Sequence, residues 1–221
     1  MGYSHYWYRD QELNQVSFGS VVQDFKKILP ALEHLGIKLA NGLGKNQPVI
    51  NYEQIWFNGL ENCGHTKREL GITWPSKNAH GVASGYKQNF SIVDESWFAG
   101  LVINSRVCSG SCAYEMFSLD RVIKHESSYE GNKVFSCTKT NYYPYDLAVN
   151  VCLIIAKHHL KNQILVLSDG QHEQWKDAIQ ICDHFLGYGL DFEFDDPPKD
   201  KPKENLKKTK EAKTVQGVGQ T

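Results

Sequence analysis

No apolar run in this 221-residue chain reaches the roughly 18 residues of a membrane-spanning helix. The longest, residues 147–156, is interrupted by Asn150. Nor is there an excess of charge of either sign. With 24 Lys and Arg against 25 Asp and Glu, the formal net charge is -1, which gives no footprint for nucleic acid, and the lysines crowd into the last residues rather than onto a folded face. Large classes of enzyme motif are also missing: there is no P-loop, no G-x-G-x-x-G after a strand, no G-x-S-x-G elbow and no H-E-x-x-H. The first residues, Met1-Gly-Tyr-Ser-His-Tyr-Trp7, lack the basic and apolar regions of a secretory signal. Tyr6 stands where a myristoylation motif needs Ser or Thr. The expectation is a cytoplasmic protein with no membrane partner.

What is present is enough apolar residue, 41%, for one substantial core, so one domain is expected over 1–194. Six cysteines without a secretory signal read as reduced thiols. Cys152 and Cys182 fall in helical patterns and read as small core residues. From 195 to 221 the composition turns to Lys, Pro, Asp and Glu with almost no large apolar residues, as in a disordered charged tail.

Alternation predicts a strand over 3–8, with Tyr3, His5 and Trp7 on one face and Ser4, Tyr6 and Tyr8 on the other. Val21, Val22, Phe25, Ile28, Leu29, Leu32 and Leu35 recur at helical spacing and end at Gly36. Pro30 should kink or split that helix. Short strands are expected over 37–39, over 54–58 with Asn58-Gly59 as a turn, and over 69–74. Residues 76–131 show little periodicity and read as an insertion or elaborated loop. Regularity returns as a strand over 134–140, a helix over 145–160 that is apolar all round and therefore buried, a strand over 163–167 and a one-sided helix over 171–186. Strand, helix, strand over 134–167 suits parallel pairing. The fold class expected is α/β or α+β: a mixed sheet of about five to six strands with three main helices, one of them buried.

Several segments taken together, Gly2-Tyr-Ser-His-Tyr-Trp7, Ile55-Trp-Phe-Asn-Gly59, Cys137-Thr-Lys-Thr140, Pro144-Tyr-Asp146 and Ser168-Asp-Gly170, resemble a family of small uncharacterised fungal, bacterial and phage proteins. Its members carry Gly-Tyr-x-His-Tyr, Phe-Asn-Gly, Cys-Lys-Thr before Pro-Tyr-Asp, and Ser-Asp-Gly. The resemblance covers about 1–75 and 132–187 and implies a fold and a site location, without an activity. This chain departs from the pattern by inserting Thr138 between Cys137 and Lys139, which moves alternate side chains to the opposite face of a regular strand. It also has the long 76–131 segment after His65.

The ends of the strands at 134–140 and 163–167 each precede a helix, the usual place for a ligand in an α/β protein. Lys139, Thr140, Tyr145, Asp146, Ser168 and Asp169 are the candidate ligand-binding residues, offering a cation, hydroxyls, carboxylates and free helix N–H groups to a small polar or anionic molecule. His5 and Asp169 are the candidate catalytic groups, with Asp146 or Asp169 orienting His5. The plain structural alternatives are that Ser168 or Asp169 caps the last helix, that Asp146 stabilises a first helical turn, and that His5 is a packed, hydrogen-bonded core histidine. Cys63, His65, Cys108 and Cys112 are a weak zinc set, since their spacing departs from C-x2-C and nothing in the sequence brings 63 near 108. Cys137 beside Lys139 is a candidate nucleophile whose plainer reading is an inert strand cysteine. Tyr142, Tyr143 and Tyr145, with Trp7 and Trp56, offer rings for a flat ligand or cover for the core edge. Three functional classes stay open: an accessory or sensor protein that binds a small polar ligand, a small hydrolytic or acid/base enzyme using the same residues, and a protein-interaction module working through 76–131 and the tail. The cofactor is unknown.

Overall fold

The computed structural model describes residues 3–65, 68–74, 82–84, 101–108, 110–123, 129–130 and 133–198. The elements run β1 (Ser4–Arg9), α1 (Gln15–His34), β2 (Leu39–Ala40), β3 (Val49–Ile50), β4 (Gln54–Gly59), β5 (Arg68–Trp74), β6 (Val82–Ser84), β7 (Leu101–Cys108), β8 (Phe117–Asp120), β9 (Tyr129–Glu130), β10 (Lys133–Lys139), α2 (Asp146–Leu160), β11 (Ile164–Ser168) and α3 (Lys176–Leu186). Short 3-10 turns, Lys161–Gln163 and His172–Trp175, precede β11 and α3. The architecture is α+β. Strands group as β11-β1-β10-β9, as β2, β3 and β8 around β4, and as β6-β5-β7, and each pairing among them is antiparallel.

The parallel pairing expected of β10 and β11 does not form. Both run in the same direction, but β1 enters between them, antiparallel to each, with His5 opposite Thr138 on one side and Ser168 on the other. The alternating aromatic pattern of β1 explains this placement. Trp7 and His5 point to the helical side and are fully buried, so the strand gains more by being central than by being an edge.

Asn14 caps α1, its side chain accepting from the Ser17 N–H. The helix runs without a break through Pro30, which is exposed, and stops at Gly36 with φ of 81°. The packed faces of a 20-residue helix outweigh the one hydrogen bond that proline removes. α2 is buried on nearly every side, between β11, α1 and α3. A chain of ring contacts ties the layers together: Trp7 to Phe117 at 5.0 Å, Phe117 to Phe57 at 4.8 Å and Phe57 to Phe25 at 5.4 Å.

Three further expectations are corrected. Asn58-Gly59 is the end of β4 rather than a turn, because it pairs with β2. The described parts of 76–131 form β6, β7, β8 and β9. Asp195 belongs to the folded body: its N–H donates to Val166 O at 2.9 Å, and its carboxylate accepts from Lys157 at 2.6 Å and from the Val166 N–H. The tail expected beyond 198 lies outside the described residues.

Candidate functional site

β1 begins where β10 and β11 end, so one end of the sheet gathers His5, Thr140, Asp146 and Ser168. Side-chain alternation sends His5, Thr138, Thr140 and Ser168 to the helical face and Ser4, Tyr6, Lys139 and Asp169 to the other. On the helical face Asp146, the first residue of α2, is almost wholly buried. It accepts from His5 Nε2 at 2.7 Å, Thr140 Oγ1 at 2.5 Å, Arg106 Nε at 3.0 Å and Asn150 Nδ2 at 3.4 Å. Arg106, from β7, also pairs with Asp177 at the start of α3. Burial alone would raise the Asp146 pKa. Arg106 and His5, with the hydrogen bonds from His5 and Thr140, more than offset it and hold it at about 2. Burial likewise works against the Arg106 charge, and Asp177 and Asp146 reverse that effect to raise its pKa above the ordinary value. The carboxylates and the guanidinium are thus mutually compensated inside the core.

Beyond Asp146 the chain of bonds leads outward. Because the ionised Asp146 can only accept, His5 Nε2 carries a proton, and Nδ1 faces Ser168 Oγ at 2.9 Å. In a neutral His5 that nitrogen accepts the Ser168 O–H. Ser168 is half-buried and takes the Gly170 N–H at 2.9 Å as well. The edges of Tyr3 and Trp175 enclose the imidazole, with ring centroids 4.9 and 5.1 Å away. The arrangement is a hydroxyl, an imidazole and a buried carboxylate in series, with its outer end at the molecular surface.

Two consecutive non-glycine residues in the β10–α2 connection, Asn141 and Tyr142, have positive φ, 49° and 58°. That conformation costs free energy for an L-residue. It lays the exposed Tyr142 ring on Tyr3 at 3.8 Å, and the Tyr142 hydroxyl accepts from Gln174 at 2.8 Å. Tyr3 is buried, with its hydroxyl on the Ser168–Gly170 side of the site. It lies against Gly170, where a Cβ would come within 2.5 Å of it. A side chain at 170 would therefore collide with the wall of the site.

The remaining sequence candidates separate. Tyr145 is fully buried, its hydroxyl donating to Glu115 O at 2.7 Å, so it supports the site from beneath. Asp169 is exposed on the opposite face and accepts from Tyr6 OH at 2.9 Å and the Ser4 N–H at 3.0 Å. It does not orient His5; Asp146 does. Lys139, opposite Ser4, lies over the Tyr114 ring at 5.7 Å. Neither Ser168 nor Asp169 caps the last helix, since Gln171 and Gln174 form the capping box of the turn before α3. Cys137 is exposed, and burial of its sulfur with the Glu115 charge raises its pKa, the opposite of an activated thiol. Of the rings proposed for a flat ligand, Trp7 and Tyr145 are in the core, Trp56 donates to Asp120, Tyr143 stacks on Tyr114, and Tyr142 is exposed, stacked on Tyr3.

A second cluster forms at the C-terminal end of β7. Cys63, His65, Cys108 and Cys112 bring one ligand atom each to within 4.8 Å of one another. Asn58 and Gly59 make this possible. Asn58 binds the Gly42 and Tyr114 carbonyls and accepts from the Tyr114 N–H. Gly59 lets the Cys112 backbone lie against β4, where a Cβ would come within 1.9 Å of the Cys112 oxygen. The Phe-Asn-Gly motif is thus a docking surface for the loop that carries Cys112.

Arg106 and Asp177 were not legible as site residues. Arg106 is the one charged residue of the strand Leu101-Val-Ile-Asn-Ser-Arg-Val-Cys108, and that lone charge is the available signal. In comparisons with known proteins, no family model, curated protein or solved structure matches the chain.

Proposed function

We propose that the protein binds a small polar or anionic molecule at the Ser168 end of the Ser168–His5–Asp146 series, as an accessory or sensor protein. The observation that carries this reading is the series itself. A half-buried hydroxyl is held by an imidazole whose other nitrogen is fixed on a carboxylate, at the meeting of three strand ends. Such a hydroxyl is preorganised to exchange hydrogen bonds with a ligand. Tyr142, held in a costly backbone conformation and stacked on Tyr3, which edges the imidazole, supplies an exposed ring.

A thermal-shift series of wild type and Ser168→Ala with inorganic phosphate, sugar phosphates, nucleotides and small carboxylic acids tests the reading. A ligand at about 100 times its dissociation constant adds roughly 2.7 kcal/mol, which raises the midpoint by several degrees in a domain of this size. The expected result is a shift in wild type that disappears in Ser168→Ala. A shift of equal size in both proteins places the ligand elsewhere and overturns the proposal, as does a cooperative melt unmoved by every compound.

The hydrolytic or acid/base reading keeps one specific support, the order of donors and acceptors. With His5 neutral, Nδ1 is the base nearest the Ser168 proton, and Asp146 stabilises the imidazolium that forms. Turnover of an activated ester by wild type, lost in Ser168→Ala with folding retained, favours this reading over simple binding.

A further inference from the structure

We propose that Cys63, His65, Cys108 and Cys112 bind one zinc ion as a closed, four-ligand structural site. The chemistry of the donor set comes first. Three thiols and an imidazole are a complete tetrahedral zinc complement, with no position left for water or substrate. At ordinary Zn–S and Zn–N lengths, ligand atoms of a tetrahedral site lie roughly 3.5–3.8 Å apart. Here Cys63 Sγ and Cys108 Sγ are 3.4 Å apart, His65 Nδ1 and Cys112 Sγ are 3.3 Å apart, and the whole set fits within 4.8 Å. The donors are already grouped at nearly the distances that a bound ion would impose.

The surroundings are built for it. The three cysteines are buried together with Leu60 packed against them, and thiols gathered so tightly in the interior gain little from one another as neutral groups. The backbone N–H of His65 is directed at the Cys63 sulfur and that of Gly110 at the Cys108 sulfur. In each case the donor is the residue two positions after the cysteine, the arrangement that supports a metal-bound thiolate from the second shell. Gly64 and Gly110 both have positive φ, 80° and 101°, a conformation suited to glycine that turns the chain back over each sulfur. Cys112 is brought in from a different direction by its N–H bond to Leu60 O and by the Gly59 contact.

The position of the site gives it a purpose. Cys63 and His65 follow β4, Cys108 ends β7, and Cys112 opens the approach to β8. A zinc ion here fastens the β5–β7 pair to the β4 sheet. It also fixes the end of β7 two residues from Arg106, the cation of the buried network around Asp146. The metal is thereby placed to hold a part of the ligand-binding end in position from a distance, independently of whether that end binds or catalyses.

The test is metal content. The full chain, expressed with zinc in the medium and purified without chelator, should carry about one zinc per chain by elemental analysis. Cys108→Ser should fall well below that, whereas Cys137→Ser, which removes the exposed cysteine away from the cluster, should retain it. Because Cys108→Ser can fail to fold, wild type is also exchanged with Co(II). A thiolate-to-cobalt charge-transfer band with intense tetrahedral visible bands is expected. Zinc-free wild type with the weak spectrum of octahedral cobalt overturns the proposal. So does equal loss of metal in Cys137→Ser and Cys108→Ser, or a Cys63–Cys108 disulfide in the freshly purified protein.

Discussion

Asp146 shows most directly how single residues in this protein are set by their partners. A carboxylate so deeply buried is stable only because Arg106, His5, Thr140 and Asn150 all donate to it. Its pKa is depressed from 3.8 to about 2 in the folded state, so the sign of its pH dependence is determined. The stabilisation is fully present above about pH 4 and is lost as pH falls through about 2, with a contribution on the order of 2 kcal/mol. Urea denaturation of wild type and Asp146→Asn between pH 2 and 6 should show the wild-type advantage shrinking toward the acid end. An advantage unchanged across that range would mean that Asp146 is not ionised in the core. Replacing Arg106 by Met should cost more, about 3–5 kcal/mol, because it strands two carboxylates without their cation; a loss below about 1 kcal/mol by equilibrium denaturation would contradict the geometry.

The elements were largely readable, and the exceptions have identifiable causes. Alternation disclosed β1 and the correct division of its faces, and all-round apolarity disclosed the burial of α2, because both are local periodicities. Pro30 misled because a proline rule is local too, while α1 is held by what it packs on. Since Pro30 is exposed within a continuous helix, Pro30→Ala should stabilise the protein by about 1–3 kcal/mol, less any gain in unfolded-chain entropy. A lower thermal midpoint for Pro30→Ala would show that the proline ring packs favourably. Asn58-Gly59 misled in a different way. As a dipeptide it signals a turn, but its glycine is required by the close approach of the Cys112 segment, a contact between residues 53 positions apart in the chain. Gly59→Ala should therefore destabilise by about 2–3 kcal/mol. It should also lower zinc retention during dialysis against a chelator. Wild-type behaviour in both measurements would remove Gly59 from the account of that site.

At the scale of the whole molecule, the candidate site was legible as a list of residues and illegible as an arrangement. His5, Thr140, Asp146 and Ser168 are legible because each lies within or at the end of a recognisable element. That β1 would enter between β10 and β11, and that β7 would send Arg106 between Asp146 and Asp177, depends on antiparallel pairings between distant segments, which leave no periodic trace in the sequence. The same strand, β7, carries Cys108 into the thiol cluster and Arg106 into the carboxylate network, with a single residue between them. A displacement of either residue has only two peptide units to cross to reach the other. The two sites should consequently be thermodynamically coupled rather than additive. In a double-mutant cycle of Arg106→Met and Cys108→Ser, measured by urea denaturation with zinc present, the coupling energy should be about 0.5–3 kcal/mol. Once Cys108 no longer anchors β7, the strand can withdraw and Arg106 contributes less, so the loss in the double variant should be smaller than the sum of the single losses. Strict additivity would mean that Arg106 and Cys108 are each held independently by their own surroundings, and the thiol cluster would then stabilise the chain without positioning the Asp146 network.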